Sequence, residues 1–223
     1  MQAHKPEFLN RREAGLRLAA ALRHLSDTNP VVLALPRGGV PVAFEVAQAF
    51  DAELDLVMVR KIGAPGHEEL GIGAVVDGAH PQIVLNEDLV REFALSPTYI
   101  QDAMRSQLAE IERRRQRYQT GTPPADIEGR TVILVDDGIA TGATVRAALK
   151  GLRRSHPARL VLAVPVAPAD TFAELEAECD EIICLTTPYP FHAVGLHYRD
   201  FDQTTDEEVI ALLRRAQRYE LPG

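Results

Sequence analysis

The stretch VILVDDGIATGAT, residues 132–144, joins an apolar run to two acids and a loop of small and hydroxyl-bearing residues. The apolar run predicts a buried strand, and the segment TGATVRAALKGLRR that closes the stretch predicts a helix. The loop between them lies where a parallel strand ends and where a helix exposes unpaired backbone N–H groups. This stretch therefore predicts an anion-binding site at the carboxyl edge of a parallel sheet.

The sequence on both sides repeats the alternation of strand and helix. Upstream, VVLAL (31–35) leads through PRGGV (36–40) into a predicted helix, and LDLVMVR (54–60) has the composition of a second buried strand. Downstream, RLVLAVPVA (159–167) and EIICLT (181–186) are predicted strands with a helix between them. Alternating units of this kind form a parallel sheet with helices on both faces. We therefore predict an α/β fold with a doubly wound, mostly parallel sheet.

Two further predictions concern the segments between these units. GIGAVV (71–76) and PQIVLN (81–86) are predicted to be extended, with a turn between them. A long helix is predicted over 96–119, where Ser96 is a potential cap and apolar residues recur at helical spacing. A last helix is predicted over 206–219, after a capping box.

Composition and charge restrict the possible partners. The 223 residues carry a net charge of −8 with a pI of about 5.4, so any anionic ligand must be bound locally, and nucleic acid is not an expected partner. No apolar run is long enough to suggest a signal peptide or a membrane span, which predicts a cytoplasmic protein without a membrane partner. The one dense basic cluster, ERRRQR (112–117), is interpreted as a solvated or oligomer-facing helix.

The loop and its two acids fit different parts of one ligand. Gly138 and Gly142 allow close approach of the backbone to a phosphate, and Thr141 and Thr144 add hydroxyl donors. The acids at 136 and 137 would repel a phosphate, but a sugar between them and the phosphate donates hydroxyls to carboxylate oxygens. The motif therefore suits a phosphorylated ribose. An ordinary turn with a capping side chain is the alternative, whereas a P-loop is excluded because it needs a lysine at Ala143.

The whole string resembles the phosphoribosyl pyrophosphate (PRPP) signature of the type I phosphoribosyltransferases: apolar residues, two acids, and a small-residue loop closed by threonine. PRGGV is similar to the pyrophosphate loop of that family, and VRKIGAPGHEE (59–69) occupies the place of its mobile catalytic loop. The resemblance covers most of residues 30–200. It implies a single domain over 1–223, with a core at about 26–185, a helical insertion at about 86–120 and a hood segment at about 186–204.

The resemblance also assigns residues to the parts of PRPP. Asp136 and Asp137 would bind the ribose hydroxyls and Mg²⁺, with Asp200 as a further candidate metal ligand. The pyrophosphate would be bound by Arg37, Gly38 and Gly39, and a non-proline cis peptide is expected between Pro36 and Gly38. The 5′-phosphate would be bound by the loop residues Gly138, Ile139, Ala140, Thr141, Gly142, Ala143 and Thr144.

Catalytic and base-binding residues follow less directly. Lys61, at the end of a predicted strand, would neutralise charge on the leaving pyrophosphate; the alternative is a lysine at a solvated strand end. Glu69 is a candidate acid or base, and the alternative is an ordinary surface carboxylate. In the hood, Phe191 would stack on a base and the backbone near Val194 would contact its edge, although Phe191 is equally suited to the core. The sheet edge would thus be covered by a small hood of C-terminal and N-terminal residues.

The function that follows is Mg²⁺-dependent transfer of the 5-phosphoribosyl group from PRPP to a nitrogenous base, or the reverse reaction. The expected ligands are PRPP, pyrophosphate and a nucleobase or nucleotide, and a homodimer is expected because members of the family are often dimers. Ala140 stands where enzymes acting on 6-oxopurines usually have Asp, so hypoxanthine and guanine are disfavoured acceptors. The alternative is a non-catalytic regulatory homologue that senses PRPP or nucleotides.

Overall fold

The structure, a computed structural model, describes residues 6–118 and 123–219, and it leaves out the side chains of residues 68, 69, 218 and 219. The central element is a five-stranded sheet in the order β2-β1-β6-β7-β8, and all neighbouring strands in it are parallel. Its strands are β1 (Val31–Ala34), β2 (Glu53–Leu56), β6 (Thr131–Val135), β7 (Arg159–Val166) and β8 (Glu181–Thr186). The predicted parallel sheet is confirmed.

Helices cover both faces of this sheet because its strands are apolar on both sides. Val32 in β1 packs into the core shared with α1, α2 and α7, whereas its neighbour Leu33 packs into the core shared with α5. Alternate strand residues point to opposite faces, so each face needs its own covering helices. The helices are α1 (Arg11–Ala21), α2 (Gly39–Phe50), α5 (Ala143–Arg153), α6 (Ala169–Leu175) and α7 (Asp206–Tyr219).

A second, antiparallel sheet follows β2 and corrects one prediction. Residues 54–60 were expected to form one strand, but the chain leaves the parallel sheet after β2 and begins β3 (Val59–Ala64). β3 pairs with β4 (His67–Val76), and β4 pairs with β5 (Gln82–Leu85). The segment that resembles a mobile loop is therefore a β-hairpin here, and it stands beside the carboxyl edge of the parallel sheet.

The helical arm that was expected near 86–120 consists of α3 (Glu87–Glu92) and α4 (Pro97–Tyr118). The start of α4 is as predicted, since the Ser96 hydroxyl accepts from the N–H of Tyr99 at 3.1 Å. The start of α3 was not predicted from the sequence: Asn86 accepts from the backbone N–H groups of residues 88 and 89. These local caps explain why both helices begin where they do.

Arg115 of α4 is buried, which corrects the interpretation of cluster 112–117 as a solvated or oligomer-facing helix at this residue; the other five residues of the cluster are exposed. The Arg115 guanidinium lies 3.0 Å from the Asp77 carboxylate and 3.1 Å from the Asp55 carboxylate, and it donates to the Leu56 carbonyl at 2.7 Å. Asp55 also accepts from the N–H of Ala125 at 2.8 Å. This buried ionic cluster joins α4 to the ends of β2 and β4.

Residues near both ends of the described chain form the hood. Phe8 pairs with Tyr198 in an isolated parallel bridge, and Arg199 and Asp200 donate their backbone N–H groups to the carbonyls of Phe8 and Leu9. A short 3₁₀ helix, Val194–His197, packs over Gly138, three residues after the end of β6. The predicted fold class, a parallel sheet with a small hood, is confirmed. Among the described residues, no helix is both long enough and apolar enough to cross a bilayer.

Candidate active site

The loop after β6 leads into α5 with an open helix start. Gly142, the residue before α5, has φ +72°, a conformation that glycine adopts without strain, and the helix begins without a side-chain cap. Ala140, Thr141, Ala143 and Thr144 are all exposed. The first turn of α5 can therefore offer backbone N–H groups to an anion, as predicted from the sequence.

Two residues of the predicted phosphate loop, Ile139 and Gly138, pack against other parts of the protein. The N–H of Ile139 donates to the Val166 carbonyl at 2.9 Å, and the Ile139 side chain is buried. Gly138 lies beneath the hood, since a Cβ there would be 2.5 Å from Cγ1 of Val194. Ile139 thus fixes the loop to β7 with an N–H that is already bonded, whereas Gly138 lies against the hood.

The arginine-glycine loop contacts the acid pair directly. Gly38 packs so closely that a Cβ would overlap the Asp137 carboxylate, and a Cβ at Gly39 would be 2.8 Å from the Val135 carbonyl. The peptide bond between Pro36 and Arg37 is cis, which confirms the predicted cis peptide in this loop. The two segments singled out in the sequence thus meet at adjacent strand ends, β1 and β6.

The acid pair is held by groups that the sequence did not reveal. Arg11 of α1 places Nε 2.7 Å from Oδ2 of Asp137, and the hydroxyl of Tyr198 donates to the Asp137 carbonyl at 2.5 Å. The N–H of Asp137 donates to Oδ1 of Asp136 at 2.8 Å. Nothing local in the sequence links Arg11 or Tyr198 to the acids, because the hood brings them there from distant parts of the chain.

Burial makes the pair a favourable place for added positive charge. Desolvation raises the pKa of Asp136 well above its usual value, and the neighbouring charge of Asp137 raises it further. Burial also raises the pKa of Asp137, although the Arg11 guanidinium opposes this increase. A cation or hydroxyl donors would relieve the repulsion between the two carboxylates.

A basic cavity of about 520 Å³ opens beside Asp136 and Thr144. Its lining includes two aspartates, Asp136 and Asp206. Five arginines also line it: Arg37, Arg60, Arg113, Arg114 and Arg117. Of these, Arg37 was assigned to the pyrophosphate from the sequence, whereas the three from α4 were not considered. The cavity suits a strongly anionic ligand.

A second cleft, of about 840 Å³, lies between the hairpin and α5. Lys61 lines it together with Arg60 and Thr144, so Lys61 lies on the side of the hairpin that faces the anion loop. The backbone of Glu69 belongs to β4, and its side chain lies outside the part of the chain that the structure describes.

The predicted hood residues are placed differently from one another. Phe191 stacks on the ring of His197, with 5.1 Å between centroids, and packs against the small hood core. Val194 packs over Gly138, next to the acid pair. Asp200 is exposed, and it lines neither the basic cavity beside Asp136 nor the cleft of about 380 Å³ that contains Asp137. The structure therefore does not bring it to the predicted metal site.

The donor set at the acid pair fits Mg²⁺ bound together with its substrate. Within the described residues, no group of three or more His, Cys, Asp or Glu side chains could enclose a metal ion. Mg²⁺ is commonly held by one or two carboxylates, with water and substrate phosphates completing its shell. Asp136 and Asp137 supply two carboxylates beside a cavity suited to phosphates.

A ligand pocket outside the carboxyl ends of parallel strands is typical of the doubly wound α/β proteins. The sequence profile of the phosphoribosyl transferase domain matches residues 7–199. The chain therefore belongs to the phosphoribosyl transferase family, which confirms the resemblance drawn from its motifs.

Individual relatives agree with this assignment. A Mycobacterium tuberculosis (strain H37Rv) protein, named provisionally as a phosphoribosyl transferase, is 47% identical over 212 residues, which cover 95% of this chain and 47% of that protein. The chain thus spans about half the length of that curated relative. The crystal structure of TT1426 from Thermus thermophilus has 44% identity and a TM-score of 0.82, and the match covers 94% of this chain and 98% of that one. A shorter match, 60% identical over 42 residues, is to the bifunctional protein PyrR of a Roseiflexus species, and it covers 18% of this chain and 23% of that protein.

Proposed function

We propose that this protein is a Mg²⁺-dependent phosphoribosyltransferase that moves the 5-phosphoribosyl group of PRPP to a nitrogenous base, or catalyses the reverse reaction. The observation that carries the proposal is the contact between Gly38 and Asp137, because it brings a pyrophosphate loop and a sugar-binding acid pair together. The substrates are PRPP and a nucleobase, and the products are a nucleotide and pyrophosphate. A cytoplasmic homodimer belongs to the same proposal.

Each segment of the pocket has a part in binding PRPP. The 5′-phosphate accepts hydrogen bonds from the backbone of residues 140–144 at the start of α5, where the helix dipole favours an anion. The ribose hydroxyls donate to the carboxylates of Asp136 and Asp137. The diphosphate lies against Arg37, Gly38 and Gly39. These contacts fix the anomeric carbon between the leaving diphosphate and the attacking ring nitrogen.

The reaction displaces pyrophosphate through a sugar with cationic character, so the protein acts mainly by positioning and by preorganised charge. Bound Mg²⁺ would neutralise phosphate charge and make pyrophosphate a better leaving group. Asp136 and Asp137 are the residues that would hold it, through the ribose hydroxyls or water. The hairpin β3–β4, with Lys61 and Glu69, would exclude water from the reacting centre.

The acceptor base lies on the hood side of the acid pair, near Val194. Val194 packs over Gly138, which directly follows Asp137, so a base beside Val194 is next to the ribose site. Phe191 already stacks on His197, and it can contribute a second ring only at its outer face. Ala140 supplies no carboxylate for a 6-oxopurine, so adenine, uracil and related bases are the first candidates.

The test is release of pyrophosphate from PRPP and Mg²⁺ in the presence of a panel of purine and pyrimidine bases. Product with any one base, identified as its nucleotide, supports a transferase. Binding of PRPP with no product across the panel favours the regulatory alternative, in which the same pocket senses PRPP. Failure to bind PRPP at all would overturn both.

Lys61 provides a separate test of the hairpin. We expect Lys61→Gln to lower kcat roughly 100-fold, the usual effect of removing one donor to developing negative charge, with little change in the binding of ribose 5-phosphate. Steady-state kinetics with the accepted base would measure this effect. The matched control is Lys150→Gln, which removes a lysine from the opposite wall of the same cleft, where it pairs with Glu178. Equal losses in both variants would assign the effect to the overall charge of the cleft.

A further inference from the structure

One wall of the basic cavity is built by α4, a helix of the arm that the PRPP motifs do not include. Arg113, Arg114 and Arg117 of this helix all line the cavity, together with Arg37 of the arginine-glycine loop. Positive charge reaches the cavity from three places, one of which is Arg60 of β3. The other two are the loop after β1 and the last turns of α4.

Helical geometry explains why three of the four arginines in this segment face the cavity. Successive helical residues are rotated by about 100°, so Arg113, Arg117 and Arg114 fall within an arc of about 100° on one side of α4. Arg115 lies roughly opposite the middle of this arc by the same spacing. Its burial against Asp55 and Asp77 fixes the rotation of the helix, and this rotation directs the other three arginines into the cavity.

Acidic partners neutralise these arginines only in part. Glu110 accepts from both Arg113 and Arg114, and these hydrogen bonds lower the pKa of Glu110 to about 2. Asp206 lies 2.8 Å from Arg117 and 3.7 Å from Arg37, so it is likewise shared by two arginines. Each acid carries one charge and faces two guanidinium groups, so the wall has positive charge left for a ligand.

We propose that Arg113, Arg114 and Arg117 of α4 bind the diphosphate group of PRPP and of free pyrophosphate. The inference rests on the proposed function and adds residues that the PRPP motifs do not contain. A diphosphate is the part of PRPP that fits this wall, because Arg37 of the pyrophosphate loop lines the same cavity and the hood residues Phe191 and Val194 do not. Guanidinium groups bind phosphate oxygens through paired, charge-assisted hydrogen bonds.

The test compares two probes, inorganic pyrophosphate and ribose 5-phosphate, each titrated calorimetrically in the presence of Mg²⁺. The variant is Arg113→Gln combined with Arg117→Gln. We expect the affinity for pyrophosphate to fall roughly 100-fold, since two charge-assisted contacts are lost, while the affinity for ribose 5-phosphate changes less than about threefold. The salt dependence of pyrophosphate binding should also be weaker in the variant.

The control is Arg105→Gln on the same helix. Arg105 forms an i,i+3 ion pair with Asp102, as Arg113 does with Glu110, but it does not line the cavity. Unchanged pyrophosphate affinity in the double variant, or an equal loss for both probes, would overturn the inference while the proposed function stands. If the unmodified protein binds neither probe, the proposed function itself fails.

Discussion

Asp137→Asn should lower kcat/KM for PRPP roughly 1,000-fold, the upper end of the effect of removing a single preorganised charge from an active site. Asp137 contacts three separate parts of the protein: Gly38 of the arginine-glycine loop, Arg11 of α1 and the hydroxyl of Tyr198 in the hood. Asparagine keeps the shape of the side chain but loses the negative charge. It therefore removes a strong acceptor for the ribose hydroxyls and one of the two charges beside the expected Mg²⁺.

Two control variants separate this effect from a loss of folding. Asp102→Asn removes an exposed aspartate that forms an ion pair on α4, and we expect activity within about twofold of the unmodified protein, as for other surface positions. Arg11→Gln breaks the ion pair of Asp137 and leaves its carboxylate in place, so its loss of activity should be much smaller than that of Asp137→Asn. If Asp137→Asn keeps most of its activity while its thermal unfolding is unchanged, the carboxylate does not bind the sugar.

The second large effect concerns stability: Arg115→Ala should lower the free energy of unfolding by about 3–5 kcal/mol. Asp55 and Asp77 would then remain buried without a cation, and the donor to the Leu56 carbonyl would be lost. Urea denaturation followed by circular dichroism would measure this change. For a domain of this size, the corresponding decrease in Tm is on the order of 10 °C.

The matched control for stability is Arg105→Ala, which removes an exposed arginine from the same helix and should cost less than about 1 kcal/mol. A double variant, Arg115→Ala with Asp77→Asn, should recover part of the loss because one uncompensated charge disappears. A change of less than about 1 kcal/mol for Arg115→Ala would show that water or rearrangement satisfies the two acids and that the cluster does not anchor α4.

The features that the sequence predicted well are those that neighbouring residues determine. The strand, loop and helix of residues 131–154 follow from an apolar run, glycines and helix periodicity, all within one short window. Helix starts were equally local: the hydroxyl of Ser96 caps α4, and that of Thr205 accepts from the N–H of Glu208 at 3.1 Å. Adjacent parallel strands then bring the two loops together without further information.

Features that depend on distant partners were missed. The run 54–60 is apolar from Leu56 to Val59 and has no glycine or proline where it breaks, so only the pairing of β3 with β4 reveals the break. Likewise, α4 contains four arginines within five residues, and only Arg115 is buried. It is buried because it binds Asp55 and Asp77, which are 60 and 38 residues away in the sequence. Helix periodicity separates faces, but it does not say which face meets a buried acid.

The hood has a consequence for how the protein is made. Arg11, which is bonded to the Asp137 carboxylate, also donates to the backbone carbonyl of Asp202, and Phe8 pairs with Tyr198. The ribosome synthesises one member of each pair early and the other late, so a nascent chain that has completed the parallel sheet still lacks part of the surroundings of Asp137. The surroundings of Asp137 are therefore completed only after translation has passed residue 202.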